Sequence, residues 1–328
     1  MVVRRTLVVV AAAAAALAAA AVSLALGAVD LPLSDVIDAL TGSLGEGSTR
    51  QIVLELRLPR TVEAAAVGAA LGVAGALLQG ALGNPLASPD VIGVTGGAGF
   101  GAVLILIVFP GSIALLPVGA LAFGLLAAGL VFAIAWVGPD AGGVGKLILA
   151  GIAVGALFGA GTTAVLTAYP DRVQSAIFFI AGGLSSDGWR ELEIVWPYFA
   201  VGFVAAICLM RPLDRLALGD DVAASLGVRP RLIRLIAGVG AAFLAAAAAA
   251  IAGLLGFLGL VVPHVVRLAG GTSSHTFVVP VSAISGAALL MAGDTLARTV
   301  KAPIELPVGP FMVALGVPLF LLLLRRAV

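Results

Sequence analysis

Side chains that could carry out chemistry are few in this chain and far apart. Charged residues make up 11% of the 328 positions, and there are two histidines and one cysteine. His264 follows Pro263 in an apolar stretch, where an ionisable group is costly and invites a functional hypothesis. It could be a haem or iron ligand, or make a structural hydrogen bond. We expect His275 to be an exposed loop residue, and we predict no metal site.

Covalent catalysis is not expected within the apolar segments. No histidine and carboxylate, or serine and histidine, are paired within the predicted spans, which argues against an intramembrane enzyme. The single cysteine, Cys208, excludes both an internal disulfide and a cysteine-based metal site. The net charge of +1 provides no argument for nucleic-acid binding.

One polar segment interrupts the apolar sequence at residues 212–228. Its apolar residues stand roughly a helical turn apart, so a short helix there would have one apolar and one charged face. Such a helix could dock into another protein, or the segment could be a solvated loop. The apolar positions are Leu216, Leu218, Val222 and Leu226, and the charged ones are Asp214, Arg215, Asp220 and Asp221.

The elements around this segment are predicted to be membrane-spanning helices. The chain is 61% hydrophobic and contains 43 glycines, which suit close helix packing in a bilayer. Its mean hydropathy is +1.19. Backbone polar groups in hydrocarbon must be paired internally, so apolar runs of about 20 residues are expected to be helices. We predict an all-α, polytopic membrane protein that forms a single domain over residues 1–328.

Ten spans are predicted, with an uncleaved first helix and both termini on one side. With cytoplasmic termini, eleven arginine and lysine residues lie in inside segments against seven outside, in agreement with the positive-inside rule. The polar segment then faces the cytoplasm. The predicted spans are 6–28, 61–81, 91–109, 113–137, 146–168, 193–210, 233–257, a short one near 258–270, 277–297 and 307–324.

Interruptions at corresponding places suggest an internal repeat. Residues 83–90 follow the second span and residues 256–264 follow the seventh, and both stretches contain glycine and proline. These two spans would run in opposite directions, so the repeat would be inverted, a common device in transporters. An ion-coupled secondary transporter is a rival hypothesis, but it would need carboxylates along the path, and nearly all of these fall in predicted loops or span ends.

At these motifs the chain resembles the FecCD-type permeases, the membrane subunits of ABC importers for iron-siderophores, haem and vitamin B12. The resemblance covers residues from about 50 to the C-terminus and depends on several short motifs in order. These are Arg57-Leu58-Pro59-Arg60, Gly68 to Gly75, Gln79, Asn84 to Ala87, Gly93, Gly97-Ala98, Leu149 to Gly151, Gly182 to Ser186, Leu218-Gly219, Ala224 to Val228, Gly256 to His264, Arg267 and Glu305 to Gly309.

The resemblance implies a type II ABC importer permease in a bacterial cytoplasmic (inner) membrane. Expected partners are a dimer of cytoplasmic ATPases, a second permease subunit (identical or homologous), an extracytoplasmic substrate-binding protein and membrane lipid. The chain has no Gly-x-x-x-x-Gly-Lys-[Ser/Thr] loop, so ATP and Mg²⁺ would bind the ATPase partner, and this subunit would be no enzyme. A ferric siderophore is the expected cargo, with haem and cobalamin as alternatives.

The resemblance also assigns roles to individual residues. Arg57, Arg60 and Arg298 would receive acidic residues of the binding protein, although the first two could instead anchor a span at the headgroups. Because the family carries Pro-His whatever its cargo, a structural hydrogen bond is favoured for His264. Coupling to the ATPase would involve Leu218, Gly219, Asp220, Asp221, Ala224, Ser225, Leu226 and Gly227.

Five residues are candidates for the pathway or its gate. Gln79 could line the path or bond between helices. Structural use is favoured over substrate contact for Asn84 and Pro85, which break the chain after the second span. Gly142 and Gly143 would form an inner gate or a simple connector; related permeases often have small polar residues there.

Overall fold

The computed structural model describes residues 2–137, 143–184 and 189–327, and in these ranges it contains helices and no strand. The helices are α1 (Val2–Ala25), α2 (Leu33–Thr41), α3 (Ser48–Gln51), α4 (Leu58–Leu82), α5 (Val94–Val108), α6 (Leu116–Ala135), α7 (Val144–Ala168), α8 (Val173–Ala181), α9 (Trp189–Leu216), α10 (Asp220–Ser225), α11 (Pro230–Ala252), α12 (Leu258–Gly270), α13 (His275–Thr299) and α14 (Val308–Ala327). A π-helical turn, Ile52–Arg57, joins α3 to α4, and short 3₁₀ turns precede α5, α6 and α8.

The predicted all-α membrane fold is confirmed. Within the described ranges, seven helical segments are long and apolar enough to cross a bilayer, and three shorter apolar helices complete the ten predicted spans. The prediction for the seventh span was too long, because α11 ends at Ala252 and not at residue 257. Gly253 ends the helix with a φ of +65°, a conformation that side chains disfavour.

Two short helices, α2 and α8, were not predicted. α2 buries Val36 and Ala39 against Leu24 and Val53, while its other apolar side chains are exposed. α8 packs through Ala176 onto α5. Each has nine residues, too few to span a bilayer, so a search for long apolar runs passes over them.

α4 and α11 form the centre of the fold. In each of the helical segments that contain them, 78% of an apolar stretch of 18 residues is buried. Each is the second span of its half and ends in a non-helical stretch before a short helix, which fits the predicted inverted repeat. Glycines let other backbones approach α4 closely. A Cβ at Gly68 would collide with the carbonyl of Gly286 in α13, and one at Gly75 with the carbonyl of Gly259 in α12.

α4 also separates the two groups of candidate residues. Its 25 residues extend about 37 Å at a rise of about 1.5 Å per residue. Arg57 and Arg60 lie at its beginning, and Gln79 lies near its end. Arg234, which bonds the predicted coupling residue Asp220, also bonds the Ala81 carbonyl in the last turn of α4. The predicted docking residues Arg57 and Arg60 and the predicted coupling residues are therefore at opposite ends of α4.

Candidate functional site

The polar segment contains a short helix, as its pattern predicted. α9 continues to Leu216, Gly219 follows with a φ of +101°, and α10 then covers Asp220–Ser225. Gly227, with a φ of +78°, turns the chain before α11 begins. Nothing lies within 4 Å of a Cβ added at Gly219 or Gly227, so backbone conformation and not space favours glycine there.

α10 and the residues that flank it present large apolar side chains outward, while one alanine of the helix is buried. Leu218, Val222 and Leu226 are 61%, 47% and 49% exposed, whereas Ala223 is fully buried. Leu216 departs from the predicted pattern, because it ends α9 inside the core and does not join the exposed face. We call the exposed trio Leu218, Val222 and Leu226 the coupling face.

An open groove of about 600 Å³ runs along the other exposed side of α10. Asp221, Ala224 and Gly227 line it, together with Arg229 and Arg231 from the start of α11. Ser225 is also exposed, and its hydroxyl donates to the carbonyl oxygen of Val222 at 2.7 Å. Exposed apolar and charged groups thus occur together in this segment, an arrangement suited to binding another protein.

Asp220 is the one acidic residue of α10 that is held by an ion pair among the described residues. Arg234 in α11 donates to its two carboxylate oxygens at 2.7 and 2.8 Å. These hydrogen bonds keep the pKa of Asp220 below its ordinary value. Asp221 is exposed.

His275 is not the exposed loop residue that was predicted. It is 3% exposed and begins α13. Its Nδ1 lies 2.8 Å from the Asp214 Oδ1, which also accepts the His275 backbone N–H at 2.5 Å, and Ser274 Oγ donates to Asp214 Oδ2 at 2.9 Å. The carboxylate at the end of α9 therefore anchors the start of α13, and this buries the ring.

The chain break after α4 is a structural turn. Gly83 ends α4 with a φ of +58°, and Asn84 Oδ1 accepts the backbone N–H of Leu86 at 2.9 Å. Pro85 is exposed and lines a cavity of about 560 Å³ that extends to Asp220 and Arg234. Asn84 thus satisfies a backbone group near the break, the role favoured for it from the sequence.

Gln79 bonds between helices. Its Nε2 donates to the carbonyl oxygens of Gly259 and Leu260, at 3.3 and 3.1 Å, while its Oε1 accepts from Arg267. These contacts join α4 to both ends of α12. The side chain also borders the 560 Å³ cavity. The bond between helices is therefore observed, while a role of Gln79 in lining the path stays a prediction.

Of the two gate candidates, only Gly143 can be placed. It is extended, with a φ of −66° and a ψ of 143°, and it immediately precedes α7. Gly142 lies outside the described residues. The gate assignment stays a prediction.

At the other end of α4, two arginines pair with one aspartate, and a third arginine, Arg57, lies nearby. Arg60 donates to both carboxylate oxygens of Asp294, at 2.9 to 3.2 Å, and to Glu305 at 2.7 Å. Arg298 Nε lies 3.4 Å from the same aspartate. We call Arg57, Arg60, Arg298 and Asp294 the arginine cluster.

Most of the remaining contacts of this cluster are to the end of α1 and to the segment that follows it. Arg57 donates to the carbonyl oxygens of Leu24 and Ala25, both at 2.7 Å, and to that of Val29. Arg298 donates to the Ser23 carbonyl at 2.6 Å and to its hydroxyl at 2.8 Å. The three arginines are 5–6% exposed, so in this structure they neither reach out to lipid headgroups nor offer free N–H groups to a carboxylate of a partner. Their docking role stays a prediction.

His264 is half-buried, and the residues that the structure describes offer it no hydrogen bond. The structural hydrogen bond favoured for it is therefore absent from the described contacts.

The sequence profile of the FecCD transport family matches residues 10–326. The chain belongs to this family. Similar members include two permeases of Bacillus subtilis strain 168. The Fe(3+)-citrate import permease YfmE is 34% identical and aligns over 93% of this chain and 90% of its own length. The iron(3+)-hydroxamate import permease FhuB is 37% identical, over 93% of this chain and 79% of its own.

Other FecCD-type relatives extend the range of cargoes. The cobalamin import permease BtuC of Halobacterium salinarum is 36% identical over 91% of this chain and 80% of its own. A solved inward-facing structure, described as of the metal-chelate ABC transporter type, superposes with a TM-score of 0.84 at 27% identity, covering 98% of this chain and 99% of the other. The chain is thus an ABC importer permease, a translocation component of the FecCD type.

The contacts of two residues, Asp214 and Arg234, were not predicted from the sequence, although Asp214 was named among the charged residues of the polar segment. Arg234 lies near the start of α11, where the helix dipole disfavours a positive charge. A cation in that position needs an acidic partner, and this was the available signal. Asp214 offered no comparable signal, because its partners are 60 and 61 residues away in the chain.

Proposed function

We propose that this FecCD-type permease moves a ferric siderophore across a bacterial cytoplasmic membrane by alternating access. The iron-chelate names of two relatives and the metal-chelate type of the structural neighbour support this cargo. Cobalamin is the second candidate, because a cobalamin permease is 36% identical. Haem is a further alternative within the same architecture.

The coupling face is the observation that supports the mechanism. Three large apolar side chains that are 47–61% exposed lie on α10 and on the residues next to it, and charged residues of the same segment line an open groove. Such a surface is costly in water and gains from burial in a partner. We assign it to a groove on a cytoplasmic ATPase, which would carry ATP and Mg²⁺. ATP-driven closure of two ATPases would then bias the permease between two states.

The other partners follow from the same assignment. A second permease subunit would complete the translocation path. With α10 assigned to the cytoplasmic face, both chain termini would lie in the cytoplasm and the arginine cluster would lie on the outer face. A binding protein would deliver the cargo there. A carboxylate of the binding protein would reach Arg60 by displacing Glu305, because the Glu305 side chain is 47% exposed while that of Asp294 is 1% exposed.

Uptake measurements in cells with and without the chain test this proposal. Radio-iron supplied as ferric siderophore should enter only when the chain is present, while haem and cobalamin uptake should be unchanged. Loss of cobalamin or haem uptake with normal iron uptake would overturn the cargo and keep the importer. Iron uptake that persists after the membrane potential is collapsed but stops when ATP is depleted would exclude the ion-coupled rival.

A further inference from the structure

Arg234 joins three helices through one guanidinium group. It belongs to α11, and its Nη1 and Nη2 donate to the Asp220 carboxylate of α10 at 2.8 and 2.7 Å. Its Nε donates to the carbonyl oxygen of Ala81, in the last turn of α4, at 3.1 Å. Its side chain is 18% exposed. The coupling helix is therefore connected to the end of α4 by one side chain.

The geometry of these bonds suits arginine and no other residue. A planar guanidinium can engage a carboxylate with two parallel N–H groups and still direct Nε elsewhere, whereas a lysine ammonium is a single point charge. The C-terminal end of α4 carries unpaired carbonyls and a partial negative charge, so it favours the cation. Both contacts offset the unfavourable position of Arg234 near the start of α11.

The backbone on either side of α10 offers less constraint. Gly219 and Gly227 flank the helix in conformations that suit glycine, and neither has a neighbour within 4 Å of its would-be Cβ. Asp214 holds the end of α9 to the start of α13, but it precedes Gly219 and so does not hold α10 itself. Among the described residues, the Asp220 pair is the only ion pair made by α10 itself.

We propose that Arg234 is a positioning residue that carries displacement of α10 to the end of α4. That end precedes the break at Gly83 and bears Gln79, which holds α12. A push on the coupling face would thus reach α4 and α12 through Arg234 in addition to the backbone of α11. This inference rests on the proposed function, because it requires α10 to be the surface that the ATPase moves.

The test uses the complete complex of permease, ATPase and binding protein in proteoliposomes, with ATP hydrolysis and radio-iron siderophore uptake measured together. For Arg234→Gln we expect ATPase assembly within two-fold of wild type and uptake per ATP about ten-fold lower, the size of a coupling of neighbouring residues. Arg234→Lys should fall between the two. Arg211→Gln is the matched control, since Arg211 is exposed and has no ion pair among the described residues.

A double variant separates coupling from simple loss of structure. If Arg234 acts through Asp220, then Asp220→Asn combined with Arg234→Gln should lower uptake per ATP no further than Arg234→Gln alone. If uptake per ATP is unchanged in Arg234→Gln, the inference about Arg234 is overturned, while the proposed function stands. The inference would also be overturned if Arg234→Lys lowered uptake per ATP as much as Arg234→Gln does and both variants lost thermal stability, because that result indicates a purely structural role. Absence of ATP-driven uptake in the wild-type complex would overturn the proposed function, and the inference with it.

Discussion

The two ends of α4 place their charges in opposite ways. In the arginine cluster the guanidinium groups are 5–6% exposed and Asp294 is 1% exposed, and their bonds run to helices of the same chain. In the polar segment Asp220 has a side chain that is 51% exposed, Asp221 is exposed, and large exposed apolar residues lie close to them in the chain. One end uses its charges to hold helices together, and the other, besides such contacts, leaves charged and apolar side chains exposed.

This difference follows from the cost of burial. A charge removed from water needs close partners, and a cation surrounded by carbonyls and carboxylates has them. Such a group has little left to offer an incoming protein. An exposed ion pair contributes little to stability but can be rearranged cheaply. Charges at a moving interface are therefore expected to resemble the polar segment more than the arginine cluster.

Removal of the central carboxylate should have the largest effect. Asp294→Ala leaves Arg298 without an acidic partner and Arg60 with Glu305 alone. We expect the free energy of unfolding to fall by about 3–5 kcal/mol, as when one partner of a buried pair is lost. Thermal unfolding in nanodiscs measures this, with Asp294→Glu as the charge-retaining control. A change below about 1 kcal/mol would contradict the scaffold role.

A charge on the coupling face should separate assembly from stability. Leu226→Glu alters a side chain that is 49% exposed, so the folded permease should be as stable as wild type within about 0.5 kcal/mol. Its affinity for the ATPase should drop at least about ten-fold, because a buried interface position would then hold a charge. Titration of purified ATPase onto the permease measures this, and Leu226→Met is the apolar control. Normal ATPase affinity in Leu226→Glu would remove α10 from the interface.

Glu305 should lie between the two extremes. Glu305→Gln keeps the Arg60 pair with Asp294 and alters a group that is 47% exposed, so stability should change by less than about 1 kcal/mol. If a binding-protein carboxylate competes for Arg60, the variant should bind that protein a few-fold more tightly. Binding measured at two salt concentrations tests this. Weaker binding would show that Glu305 itself is part of the docking surface.

The smallest effect is expected for Asp221. It is exposed and has no ion pair among the described residues, so Asp221→Asn should leave stability within about 0.5 kcal/mol of wild type. If Asp221 meets a cationic ATPase surface, the association rate should fall a few-fold at low salt and much less at high salt. Stopped-flow association at two ionic strengths measures this. If Asp221→Asn associates at the wild-type rate at both ionic strengths, Asp221 has no role in coupling.

Particular residues show how far sequence reasoning extended. The predicted span at 258–270 coincides with α12, and the helix in the polar segment was expected from its apolar spacing. His275 was misjudged, because its burial depends on Asp214, which is 61 positions away. Arg57, Arg60 and Arg298 were singled out from the sequence, but the groups that they contact in this chain could not be anticipated. α2 and α8 were missed because the period of an apolar pattern is weak over nine residues.

The sequence by itself determined the class of protein, the helices that cross the membrane and the family motifs. Hydrocarbon requires long apolar helices with internal backbone hydrogen bonds, and such helices can be recognised from consecutive apolar residues in the sequence. Only the tertiary structure decided which charges are buried and which remain free, and that Arg234 links α10 to α4. Those outcomes depend on which helices lie side by side, and contacts between residues 14 to 234 positions apart leave no local pattern to follow.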